Sequence, residues 1–329
     1  LGFWTWRTYE VLAMIEWMRA HNSGAPDTEK VRFVGIDPQR CGESIAALDA
    51  FLRVAALERA EAFGAAFAGL ADARPGVPFA GGQDRLRNAQ ELVAFLEGNA
   101  ADLTELTSAV RFGEALRHAR RVVRAADVVS RPLHHEEPER SALAARDRYM
   151  AEAVAELLDG DDGGDAAKVA VWAHNGHIMT GHYSGGVPAL GRHLRQRYGD
   201  AYYGLGLLFG EGAFRACRAS RRAAGRRRPV RLTVGAAGRG SGAVEAELSE
   251  ATAGSHMVNL RTGEDAPPSV REWLRARNFQ RSFGSHVPRF TYRLSLMPTV
   301  LAEEYDGLVF IPESTCSRPL PLPEGTSLP

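Results

Sequence analysis

The stretch Lys168–Ile178, KVAVWAHNGHI, decides how this chain is read. Lys168 to Trp172 is short and apolar enough to be a β-strand buried on both faces, and open α/β sheets hold their ligands beyond the carboxyl ends of such strands. His174, Asn175 and His177 then fall on the rim of a cleft, with two imidazoles three positions apart. A loop in which both histidines only cap backbone groups is the plain alternative.

Working outward, Val31–Ile36 alternates and closes on Asp37 and Pro38, which predicts a second short strand delivering a carboxylate to the same rim. Ahead of it, Val11, Leu12, Met14, Ile15 and Met18 repeat at helical spacing after Thr8 and Glu10. The Ala-rich stretch from about Cys41 to Val129 has helical periodicity and no credible strand, so it reads as a helical excursion, within an insertion of about 41–145. A further helix over Ser141–Leu158 carries Arg146. Past the histidines a βαβ rhythm continues through a helix near Ala189–Tyr198 and a strand Tyr202–Phe209 that ends in Gly210, Glu211 and Gly212. Weaker strands are predicted at Val230–Val234, Met257–Leu260 and Leu308–Ile311, and the Pro-rich tail from Arg318 to Pro329 reads as unstructured. The expected class is α/β: one domain with a mostly parallel central sheet flanked by helices.

Composition excludes some functions. The 329 residues carry 40 basic and 40 acidic side chains, so no overall field favours nucleic acid or an anionic membrane. The run Arg215, Arg218, Arg221, Arg222, Arg226, Arg227 and Arg228 lacks interleaved aromatics and reads as a solvated connection. Cys41, Cys217 and Cys316 are too scattered for a disulfide framework or a metal knuckle, which fits a reducing cytoplasm. No run reaches the roughly 18 apolar residues of a membrane span. Glycines 235, 238, 240 and 242 lack the lysine and hydroxyl of a phosphate loop. Two close imidazoles without a third ligand predict no bound metal and no other cofactor.

Taken together, FWTWRTYEVLAMIEWMRAHN, VRFVGID, SALAARDRYMAEAV, VWAHNGHI, GRHLRQRYGDAYYGLGLLFGEGAF and EEYDGLVFIPESTCSRP resemble the erythromycin esterase family in order and over nearly the whole chain. WAHNGHI is the specific piece. The resemblance implies an α/β hydrolase that opens macrolide lactones, inactivating the antibiotic, without a metal and with histidine activating water. It matches His174 and His177 to the family's HNxH pair as catalytic residues. Asn175, Asp37, Arg146 and Glu211 are candidates for binding a small ester or lactone. A loop cap, a helix-surface ion pair or a turn carboxylate explains the last three equally well. The family's upstream GExxHG-type motif does not occur here, and the first residue is Leu1, so the expectation is an N-terminally incomplete member. Residues 1–329 alone are then expected to be poorly soluble and hydrolytically silent. A binding protein of related fold, without turnover, is the rival class, and an esterase acting on a non-macrolide ester is the other alternative.

Overall fold

A computed structural model describes residues 3–321 apart from 78, 80, 160–167, 184, 220–227, 239 and 262–265. The chain packs as two compact units, one of residues 35–172 and 181–202, the other of residues 1–34, 173–180 and 203–329.

The first of these is mainly helical. Helices Gly42–Ala55, Leu57–Ala66, Gly82–Gly98, Ala100–Leu106 and Ala109–Ser130 enclose a core in which Leu48, Leu52, Ala89, Leu96, Ala119, Val122 and Ala126 are fully buried. Alanine at so many contact positions lets helix axes approach closely, while the leucines fill the space left between them. Ser108 starts the longest helix by accepting from the Arg111 amide at 3.2 Å. A second cluster joins Met150, Ala151 and Val154 of helix Ala142–Asp159 to Leu190 and Leu194 of helix Leu190–Tyr198. The fully buried Asp147 locks this contact, its carboxylate accepting from the Leu190 amide at 2.9 Å. A two-stranded ribbon, β1 (His182–Tyr183) against β2 (Val187–Pro188), completes the unit.

The other unit holds the sheet. Thr8 caps helix Tyr9–Gly24 by accepting from the Val11 amide. The long strand β3 (Leu205–Ala219) pairs antiparallel with β4 (Val230–Val234) and parallel with β9 (Gly307–Ser314). At its far end it pairs parallel with β7 (His286–Pro288), and β5 (His256–Asn259) lies antiparallel on the outer edge of β9. A separate ribbon joins β6 (Asn278–Arg281) and β8 (Leu296–Thr299). The protein is α/β as the sequence predicts, but this sheet is evenly mixed, with two parallel and two antiparallel pairings.

Glycine sets the path of β3. A Cβ on Gly206 would come within 2.8 Å of the Leu308 side chain, and one on Gly210 within 2.7 Å of the Pro312 carbonyl. Gly212 has φ +112° and lies against the Ser314 carbonyl, so any side chain there is excluded twice over. The spacing GLGLLFGEG thus lets β9 lie flush along β3.

Two predicted strands are not strands. Val31–Ile36 and Lys168–Trp172 run without ladder partners among the described residues. Ile36 and Val171 pack half-buried against the Met150–Leu190 cluster, but most of the other apolar side chains stay open, with Phe33 at 52% and Trp172 at 54% exposure. Alternation and apolarity specify which face a strand would bury; they do not supply the neighbour that completes its hydrogen bonds. The tail also differs from expectation at its start. Tyr9 donates to the Arg318 carbonyl at 2.9 Å, Leu320 donates to the Arg7 carbonyl at 3.1 Å, and Arg318 pairs with Glu10. Residues 322–329 lie outside the described part.

Candidate active site

His174 precedes a single helical turn, Asn175–Ile178, and acts as its cap. Its Nδ1 accepts from the Gly176 amide at 3.1 Å. With that lone pair committed, Nε2 carries the proton of the neutral ring, and the nearby Phe283 backbone carbonyl favours the charged form. Desolvation by the surrounding chain and the neighbouring His177 imidazole push His174 below the ordinary histidine range, the Phe283 carbonyl acting in the opposite direction. The ring is therefore neutral at pH 7 and fixed as one tautomer.

The turn is held at both ends. The Asn175 amide donates to the Leu207 carbonyl at 2.8 Å and accepts from the Leu207 amide at 3.0 Å, so the side chain pairs with β3 as a short piece of strand would. Ile178 and Met179 are buried, and the Thr180 amide and hydroxyl reach the carbonyls of Glu304 and Glu303. His177, half-buried, sits on the turn three residues from His174, its amide donating to the His174 carbonyl at 2.8 Å. Two imidazoles on a turn tied to a sheet edge can orient a water and pass its proton.

Glu211 lies four residues beyond Leu207 on β3, about 13 Å along the strand. Its register partner on β9 is Glu313, and both line a groove of about 340 Å³ with Arg231, Thr233, Ser314 and Cys316. Asp37 and Arg146 belong to the helical unit, where they form a two-pronged ion pair with contacts of 3.0 and 2.7 Å. Desolvation opposes the Arg146 charge, but the Asp37 carboxylate outweighs it and holds the guanidinium more firmly protonated than usual. Asp37 also accepts from the Gln39 amide at 3.1 Å. The structure thus brings His174, Asn175 and His177 together in one unit and joins Asp37 to Arg146 in the other.

Sequence reasoning missed Leu207 and Phe283, because both take part through their backbones and leave no signal in side-chain type. It also missed Glu245, 1% exposed, whose one carboxylate oxygen accepts from the Arg281 amide at 2.7 Å while the other has no hydrogen-bond partner. Burial pushes this carboxyl up. No group of three or more histidine, cysteine, aspartate or glutamate side chains placed to hold a metal is found among the described residues.

The sequence profile of erythromycin esterase matches residues 1–314. The chain belongs to the erythromycin esterase family. Solved structures with the same fold include a Bacillus cereus protein, with TM-score 0.74 and 18% identity over 97% of this chain and 75% of its own. A succinoglycan biosynthesis protein gives 0.72 at 18% identity, over 95% and 72% of the two chains. A histidine-to-asparagine mutant of the erythromycin esterase EreC in its open conformation gives 0.65 at 17%, over 92% and 72%. At such identities these structures show a shared fold. For the erythromycin esterase family member described here, the profile match establishes a hydrolase family acting on small molecules, and among the described residues no helix is long and apolar enough to cross a membrane.

Proposed function

We propose that this protein hydrolyses a carboxylic ester at the turn bearing His174 and His177, with a macrolide lactone as substrate and antibiotic inactivation as the result. The observation that carries the reading is the doubly anchored turn, which fixes both imidazoles to β3 through Asn175 and Leu207. In the reaction an imidazole takes a proton from water as its oxygen attacks the ester carbonyl. The tetrahedral oxyanion collapses with cleavage of the ester C–O bond, and the departing alkoxide takes the proton back from imidazolium. The products are a carboxylic acid and an alcohol, which for a lactone remain on one opened chain. His177 is the better placed base, because a proton on His174 would displace the Gly176 cap. The mechanism uses no metal and no cofactor.

Asn175 and Glu211 are the polar groups of this unit assigned to substrate binding; Asp37 and Arg146, given the same role from the sequence, are joined to each other within the helical unit. A cytoplasmic location belongs to the same reading, supported by three free thiols. One observation favours a second reading, ligand binding without turnover: the bonds described for the His174 ring are to backbone groups, with no carboxylate to orient it as in catalytic triads. Incubating the full-length product of the gene with a macrolide and with activated esters separates the two. Addition of one water in mass, lost in His177→Ala, supports hydrolysis; saturable binding with unchanged ligand supports the second.

A further inference from the structure

The balanced charge of the whole chain conceals a segregated one. Between Glu211 and Glu245 there is no acidic residue but nine arginines, and between Glu272 and Glu303 none but five. The fold brings described parts of these two acid-free segments together. Strand β7 pairs with the end of β3, placing Arg218 opposite Val287 and two residues from Arg289, while Ala216 faces Val230 near Arg228. Arg218, Arg228, Arg289 and Arg293 are all exposed there. Arg231 is left out because it shares its groove with Glu211 and Glu313. Arg221, Arg222, Arg226, Arg227 and Arg239 lie outside the described residues, and the placement does not depend on them.

At the same end is a pinned turn. Tyr292 is buried, donates to the Thr233 carbonyl at 3.0 Å and packs edge-on against Phe214. On either side of this anchor stand Phe290 and Leu294, 81% and 77% exposed, more open than any other large apolar side chain described. Tyr292 thus fixes a short turn that presents two apolar side chains to solvent beside arginine.

We propose that this turn is a docking site for an anionic lipid bilayer surface, with Phe290 and Leu294 entering the headgroup boundary and Arg218, Arg289 and Arg293 meeting lipid phosphates and carboxylates. Charge complementarity selects an anionic partner. The apolar pair selects lipid over nucleic acid: Leu294 has no face on which a base could stack, and the Arg289 guanidinium already lies 5.1 Å over the Phe290 ring. Docking of this kind is peripheral and goes beyond ester hydrolysis, which it neither requires nor alters.

The test is co-sedimentation of the full-length protein with vesicles of equimolar phosphatidylserine and phosphatidylcholine, against vesicles of phosphatidylcholine alone. The mixed vesicles are expected to bind at least about tenfold more tightly, and less so as salt rises. Arg289→Gln should weaken binding about fivefold, and the double change Phe290→Ser with Leu294→Ser about a hundredfold. Both serine positions are open to solvent, so the fold and the ester activity should be untouched. The proposal is overturned if the mixed vesicles fail to bind, if the double serine variant binds as well as the parent, or if duplex DNA is bound more tightly than the mixed vesicles.

Discussion

The side-chain amide of Asn175 and the main chain of Leu207 exchange two hydrogen bonds, 2.8 and 3.0 Å long, and this exchange places the histidine turn on the sheet. Removing it tests the turn's support directly. Asn175→Ala is expected to cost about 1–2 kcal/mol in chemical denaturation, two modest hydrogen bonds' worth. Asn175→Asp keeps the acceptor for the Leu207 amide but turns a carboxylate toward the Leu207 carbonyl, so it should be no better than alanine. A loss below about 0.5 kcal/mol for both would show that the burial of Ile178 and Met179, with the Thr180 bonds to Glu303 and Glu304, holds the turn without Asn175.

His174 should titrate below the usual histidine range and appear as the Nε2–H tautomer in imidazole nitrogen NMR. Because its folded value is depressed, the stability it contributes is present above the unfolded value and lost as pH falls through the folded one. Denaturation midpoints of the parent should therefore fall on acidification below about pH 6.5, more than those of His174→Asn, whose amide caps the turn without titrating. Equal acid sensitivity would contradict this.

Glu245 has the opposite sign. Its folded value is raised by burial, so the stability it contributes is present below its unfolded value and lost as pH rises through the folded one. Glu245→Gln keeps an oxygen for the Arg281 amide and removes the buried charge. It should be more stable than the parent at neutral pH, by about 1 kcal/mol, with the difference closing in acid. A variant less stable at pH 7 would refute the buried acid.

The pair Asp37 and Arg146 is partly open to solvent, with side-chain exposures of 39% and 17%. Asp37→Asn should cost roughly 1–2 kcal/mol, the bidentate geometry raising it above a common surface pair. A double-mutant cycle with Arg146→Gln isolates the coupling; a coupling near zero would leave only the Asp37 turn at Gln39 as its role.

What the sequence revealed follows physical lines. Helix periodicity is local, so the helices enclosing Leu48, Leu96 and Val122 could be read from the chain. The strands at Val230, Met257 and Leu308 were legible for similar reasons, but β3 was read only as far as Phe209, because glycines inside a strand look like its end, whereas it runs through Gly210 and Gly212 and past Arg215 and Arg218 to Ala219. Pairing is not local. Nothing in KVAVW states whether a neighbour strand lies beside it, and nothing in Phe283 or Leu207 marks their backbones as partners of His174 and Asn175. Strands β6, β7 and β8 escaped because they are three or four residues long and carry Arg, Asn, Gln and Pro. The Phe290 and Leu294 turn escaped because exposure depends on the buried Tyr292 between them.

The central claim is that the turn from His174 to Ile178 hydrolyses esters, and the most direct measurement is the rate of ester cleavage by the full-length parent, His177→Ala and His174→Ala, followed by mass as water is added. The account predicts cleavage by the parent and a loss of about a hundredfold or more in kcat/KM for His177→Ala, with the double variant scarcely worse than the weaker single, as for residues that act as a unit. Cleavage that survives both substitutions undiminished would place the chemistry elsewhere and contradict it.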